Sequence, residues 1–279
     1  MFRSPRLTPL LVVLALATLG LAAAAASRIG AGRGHTNAAT APPATAPSAP
    51  TQHQPLPSPS TTTPPGASVP AGRPKRKRPS FEIYRVRPGD SVNLRARPHG
   101  RIVATVPAVT EFGSPAALSV AARSGHWVGV PNSALPNGTL GWLDQRTQSA
   151  SHFQVGVQLV VRLSRRRLEL RSNGRVKRTM SVGIGTSGSL TPTGHFSVTD
   201  KLDGGRYGPY YGCCILALSG HQPHPPPGWR GGSRLAIHGT NAPGSIGVPS
   251  SAGCMHASEA DLRVLMRRVP LGTPVLIRK

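Results

Sequence analysis

Two side chains of this sequence are of the types that together move an acyl group: His238, in Ile237-His238-Gly239-Thr240, and Cys254, in Ser251-Ala252-Gly253-Cys254-Met255-His256. A thiol attacks as its thiolate, and an ordinary pKa of about 8.5 leaves only a few per cent ionised at neutral pH. An imidazole that takes the proton removes that handicap. Gly253 lets the chain bend sharply before Cys254 and lets a substrate carbonyl approach, where neighbouring backbone N–H groups are available to an oxyanion. Pro243, Gly244, Gly247 and Pro249 lie between the two side chains and predict a loop able to fold His238 back over Cys254. Taken alone, the pair has a second reading, a buried structural cysteine with a histidine near it in sequence.

Strands must position this pair. Val155 to Leu163, Leu168 to Arg171, Arg175 to Val182 and Gly194 to Val198 carry β-branched or alternating apolar residues broken by Gly, Asn and Ser, which predicts strands of a mixed β-sandwich. One helix is expected: Ser258 caps a segment whose Leu262, Leu265, Met266 and Val269 form a single apolar stripe, and Pro270 and Gly272 stop it. Thr273 to Ile277 reads as a last strand. Upstream, Val92 to Pro98, Ile102 to Val106, His126 to Val130 and Gly138 to Leu143 alternate in the same way and predict a second, smaller β unit with Trp127 and Trp142 in its core. The fold class is therefore mainly β, with one helix near the C-terminal end.

Four landmarks carry a resemblance. They are the Leu168 to Val182 hairpin around Asn173-Gly174, then Thr191-Pro192-Thr193-Gly194-His195-Phe196, then Leu218-Ser219-Gly220-His221 ahead of a Pro-rich loop, and last His238-Gly239 with Ser251-x-Gly253-Cys254. In this order they make residues 153–279 resemble the catalytic domain of the L,D-transpeptidases, cysteine enzymes that cross-link bacterial peptidoglycan. Residues 81–146 resemble a bacterial SH3-like module, a small barrel whose role is either wall binding or simple spacing. The resemblance implies that Cys254 attacks the carbonyl between the third and fourth residues of a peptide stem, releasing D-Ala and leaving a thioester that an amine of a neighbouring stem resolves. His238 then moves protons in both steps, the backbone of Gly239 orients the imidazole, and Ser251 supports the turn. It also implies that Tyr211, His221, Gly253 and His256 lie at the substrate site, that no cofactor or metal is needed, and that the enzyme acts as a monomer. Two positions depart from the family pattern. Ala252 stands where relatives often have His or Arg, and His256 where Arg or Asn is common, so a wall-binding or L,D-carboxypeptidase role is the alternative.

Export agrees with such a substrate. Arg3 and Arg6 precede an apolar stretch from Leu7 to Ala26 that ends in Ala24-Ala25-Ala26, so 1–26 reads as a signal peptide or as an uncleaved anchor, and an extracytoplasmic location in the cell envelope follows. Residues 27–80 are rich in Ala, Pro, Thr and Ser and predict a disordered linker with a basic end, Arg73 to Arg78. That run reads either as a contact with anionic wall polymer or membrane surface or as a solvated linker end. The whole chain has 33 Lys and Arg against 9 Asp and Glu, a formal net charge of +24, which bears on association rather than fold. An export signal argues against nucleic acid as the partner.

Three cysteines leave one unpaired if two join. Cys213 and Cys214 are adjacent, a bridge between neighbours requires strain, and two reduced or buried thiols are expected there. A bridge from either to Cys254 would silence the thiol, and a zinc site built from them with His221 and His224 is conceivable from ligand type alone.

Overall fold

Val, Ile and Leu alternating with polar residues draw this chain into strands wherever turn-formers leave room. The computed structural model describes residues 78–229 and 231–279; the expected signal or anchor at 1–26 and the linker up to residue 77, with all of its basic run except Arg78, lie outside the described residues.

The first eight strands are β1 (Phe81–Val86), β2 (Ser91–Arg95), β3 (Ile102–Pro107), β4 (Ala117–Ser119), β5 (Ala122–Ser124), β6 (Trp127–Pro131), β7 (Leu140–Asp144) and β8 (Ala150–Val155). They form two antiparallel sheets, in the orders β4-β1-β8 and β3-β2-β7-β6-β5. Both sheets supply one core, with Tyr84, Val86 and Leu118 from the first and Leu94, Val128, Val130 and Leu143 from the second. Trp127 is buried, whereas Trp142 is half-buried.

β8 runs antiparallel to the whole of β1, from Phe81 opposite Val155 to Val86 opposite Ala150. The strand expected from Val155 to Leu163 is therefore two strands meeting at Gly156. That residue has no side chain to bury in either core, and its carbonyl is held by the Asn173 N–H (2.7 Å).

Beyond Gly156 come β9 (Val157–Arg162), β10 (Arg167–Ser172), β11 (Arg175–Ser181), β12 (Ile184–Gly185), β13 (Gly194–Asp203), β14 (Cys214–His221), β15 (Arg234–His238), β16 (Pro249–Ser251), β17 (Met255–His256), helix α1 (Glu259–Arg268) and β18 (Pro274–Arg278). Eight of these strands make one mixed sheet in the order β11-β10-β9-β18-β13-β14-β15-β17, with β12 and β16 paired beside it. Leu159, Leu168, Phe196, Leu216, Ile237, Met255 and Val275 build its core, onto which α1 lays Leu262 and Leu265. At the helix start the Ser258 hydroxyl accepts from the Asp261 N–H (3.2 Å) and donates to the Asp261 carboxylate (2.8 Å). Among the described residues the fold class expected from the sequence, mainly β with one α-helix near the end, is the one observed.

The cysteine expectation is corrected. Cys213 and Cys214 are joined by a disulfide, with Cα atoms 3.8 Å apart, and Cys254 is free. In an extended strand neighbouring side chains point to opposite faces, and a bond between them is out of reach. Here Cys213 sits in a turn opened by Gly212, whose φ is +59°, and only Cys214 belongs to β14. The non-extended backbone at that junction brings the two sulfurs together. Both cysteines are thereby removed from any zinc site or bridge to Cys254.

Candidate active site

Parallel pairing of two short strands brings the imidazole and thiol to one cleft. β15 lies beside β17 with Ile237 opposite Met255 and His238 opposite His256, so Cys254, the residue before β17, comes up beside Ala236 in the middle of β15. Apolar anchors fix both strands: Ile237 and Met255 are completely buried.

The turn before Cys254 is held from three sides. The Ser251 hydroxyl donates to the Cys254 carbonyl (2.6 Å) and accepts from the Gly253 N–H (3.1 Å). Thr191 Oγ1 donates to the Gly253 carbonyl (2.8 Å) and accepts from the Gly185 N–H (2.9 Å). Gly253 itself has φ +117°, a conformation open to glycine and not to residues with a Cβ. The side chain of Gln222 occupies the space where that Cβ would stand.

His238 is buried, and its Nδ1 donates to the Gly239 carbonyl (2.6 Å). A carbonyl only accepts, so the proton sits on Nδ1 and Nε2 is left as the basic nitrogen. Burial, with His256 beside it, pushes the His238 pKa down to about 4 against a smaller opposing effect of the Gly239 carbonyl. The rings of His256 and Tyr211 each lie 4.9 Å from that of His238, centre to centre. His256 is tied down by Ser245 Oγ on Nδ1 (2.9 Å) and by the Tyr210 hydroxyl near Nε2 (3.5 Å), and burial lowers its pKa as well.

The Cys254 thiol is half-buried and donates to the Arg234 carbonyl (3.7 Å). Burial pushes its pKa up to about 11, offset in part by the Ala236 backbone. At neutral pH the site therefore holds a neutral thiol and a neutral imidazole. The arrangement can do general-base chemistry, in which the imidazole takes the thiol proton as sulfur attacks.

Tyr210, Tyr211, Gln222, Trp229, Arg234, Ala236, His238, Ala252 and Cys254 line one narrow cleft of about 30 Å³. Of the residues expected at the site, the structure brings His238, Cys254 and Tyr211 to this cleft, and sets Gly239, Ser251, Gly253 and His256 directly behind them. His221 is not in its lining. The ring of His221 instead meets the Ser133 carbonyl through Nε2 (2.6 Å) and the Ser233 hydroxyl through Nδ1 (2.9 Å). A larger cavity of about 520 Å³, lined by Val157, Leu170, Lys177, Arg178, Val264 and Arg268 among others, contains none of the expected site residues.

Sequence reasoning missed Gln222, Arg234 and Thr191. Arg234 acts through its backbone carbonyl, which leaves no mark in residue type. Thr191 opens a motif that was a landmark, but its two buried partners are 6 and 62 residues away. Gln222 follows the Leu218 to His221 landmark directly but lies outside it.

A thiol and a buried imidazole sharing a cleft at the edge of a mixed β-sheet define a protein of the cysteine–histidine class. Residues 156–277 match the family model of the YkuD L,D-transpeptidase catalytic domain. YkuD of Bacillus subtilis (strain 168), assigned to the L,D-transpeptidases, is 31% identical over 129 residues, which cover 46% of this chain and 69% of that protein. YqjB of the same organism, with the same assignment, is 35% identical over 114 residues, or 38% of this chain and 61% of that protein. Among solved structures, an L,D-transpeptidase from Mycobacterium smegmatis is similar at 17% identity and a TM-score of 0.38, over 71% of this chain and 99% of that one. L,D-transpeptidase 3 from Mycobacterium tuberculosis, in complex with a faropenem-derived adduct, is similar at 18% identity and a TM-score of 0.36, over 50% of this chain and 73% of that one. The chain belongs to the L,D-transpeptidase family.

Proposed function

We propose that this protein is a peptidoglycan L,D-transpeptidase with Cys254 as nucleophile and His238 as base. The observation that carries the reading is the free Cys254 thiol in one cleft with an imidazole whose Nδ1 is committed to the Gly239 carbonyl, leaving Nε2 as acceptor. The Cys254 thiol leaves the Arg234 carbonyl, gives its proton to His238 Nε2, and sulfur bonds to the carbonyl carbon between the third and fourth residues of a tetrapeptide stem. The C–N bond then breaks, His238 returns the proton to the departing amine, and D-Ala leaves. An amine of a second stem attacks the thioester, giving its proton to His238, and the thiol is restored.

The work site is the cell envelope, which the apolar stretch from Leu7 to Ala26 supports as signal or anchor. The first unit, read as an SH3-like module, holds the catalytic unit to the wall, with anionic polymer or membrane surface met by the basic segments, and the protein works as a monomer. Hydrolysis of the thioester in place of transfer is the second reading, favoured by Ala252 and His256 at positions that usually carry other polar groups.

Incubation with a carbapenem tests the nucleophile. The protein is expected to gain the mass of one carbapenem at Cys254, and the Cys254→Ala variant none. A parent protein that gains no mass, or a variant that gains as much, overturns the assignment. Digestion of tetrapeptide-stem fragments then separates the two readings: a cross-linked dimer means transfer, and loss of D-Ala alone means hydrolysis.

A further inference from the structure

The side chain of Gln222 lines the cleft and carries a buried, unused donor. It is 3% exposed, and its Nε2 has no hydrogen-bond partner among the described residues. A buried amide donor without an acceptor is costly, and native structures seldom keep one unless something else uses it. Its backbone is well held, since the Gln222 N–H donates to the Ser233 carbonyl (2.7 Å) and the residue directly follows β14. The orphan donor therefore sits on a fixed segment, and Gln222 lines the same cleft as Cys254.

Its position relative to the nucleophile is specific. From the point where a Cβ on Gly253 would stand, Gln222 Cγ lies 2.8 Å away, Cδ 3.1 Å and Nε2 3.5 Å, so the carboxamide lies against the Cα of the residue before Cys254. The Gly253 carbonyl is taken by Thr191, and a planar trans peptide then turns the Cys254 N–H away from Thr191. Ala252, beside them, brings no polar side chain to the cleft. A donor from Gln222 fills that gap.

We propose that Gln222 donates its Nε2–H to the oxygen of the carbonyl under attack, sharing the oxyanion with the Cys254 backbone N–H. The inference rests on the reading of Cys254 as nucleophile. When sulfur bonds to the carbonyl carbon, the C=O π pair moves onto oxygen, and the amide hydrogen bond strengthens as that charge grows; no proton passes from Gln222. When the pair returns, the C–N bond breaks and the hydrogen bond relaxes. A donor satisfied mainly in the tetrahedral state lowers the barrier more than it tightens binding.

The test is the saturation kinetics of carbapenem acylation for the parent, Gln222→Leu and Gln222→Glu, followed by mass, with Cys254→Ala as blank. Loss of one oxyanion donor is expected to slow the maximal acylation rate roughly 10²- to 10³-fold while the half-saturating concentration changes less than about threefold. Gln222→Glu keeps the size and shape of the side chain, so it carries the comparison if Gln222→Leu fails to fold; its carboxylate is expected to be as slow at neutral pH and to regain rate as it protonates. Maximal rates within about threefold of the parent in a folded variant, or a loss confined to the half-saturating concentration, overturn the assignment of Gln222 alone. A parent that does not acylate overturns Cys254, and Gln222 with it.

Discussion

Protonation of His238 and Cys254 links the site to the stability of the fold. An unfolded histidine takes up a proton below about pH 6.5, whereas burial and His256 hold folded His238 neutral down to about 4. Between these values the unfolded chain binds more protons than the folded one, so stability falls as pH drops through that interval. Cys254 works in the opposite sense. Its folded thiol keeps its proton to about pH 11, well above where an unfolded cysteine loses it, and stability falls as pH rises toward that value. Urea midpoints measured from pH 7 down to 4 are expected to fall more steeply for the parent than for His238→Gln. His256 contributes with the same sign as His238 and remains in the variant, so the acid limb should become shallower without becoming flat. Equal slopes for both proteins would show that His238 gains its proton as readily folded as unfolded.

At the level of elements, local pattern announces some parts of this structure, and only tertiary contact decides others. Helix α1 was legible because its signals are local: Ser258 at the cap, Leu262 and Leu265 on one face, Pro270 after the end. Replacement of Ser258 by Ala removes an acceptor for the Asp261 N–H and a donor to its carboxylate, and is expected to cost about 1 kcal/mol of stability by denaturant unfolding with acylation of Cys254 retained. The pairing of β15 with β17 was legible only through the motif order, since the register that sets His238 opposite His256 joins segments separated by a loop. Three features were not legible, each for its own reason. The Cys213–Cys214 bond depends on one turn at Gly212, and adjacency in sequence argued against it. His221 has the residue type of a site histidine, but its ring is drawn to Ser133 of the first unit by a contact 88 residues away. The division of the Val155 to Leu163 stretch at Gly156 depends on a pairing of β8 with β1 that apolar alternation does not encode.

At the scale of the whole molecule, the first unit is bonded to the strands beside the cleft that holds His238 and Cys254. Asn137 accepts the His221 N–H through Oδ1 (2.8 Å) and donates to the His221 carbonyl through Nδ2 (2.6 Å), so one side chain completes both backbone groups of that residue. Glu111 pairs with Arg234, and Phe112 lies beneath the same guanidinium. His221 and Arg234 are themselves partners across β14 and β15. Arg234 offers the carbonyl that receives the Cys254 thiol, and Gln222 follows His221 directly. An Asn137→Ala change thus removes two hydrogen bonds between the units at the point from which both Gln222 and Arg234 are set. Leaving partly buried backbone groups unpaired is expected to cost about 1–3 kcal/mol by denaturant unfolding. Acylation of Cys254 is expected to slow several-fold under conditions where the variant remains folded, because the donor and the thiol both rest on this strand pair. Asn137→Asp, which keeps the acceptor for the His221 N–H and loses the donor to its carbonyl, should fall between parent and Ala on both measures. Lowered stability with an unchanged acylation rate would mean that the first unit supports the fold of its neighbour without setting the geometry of the cleft.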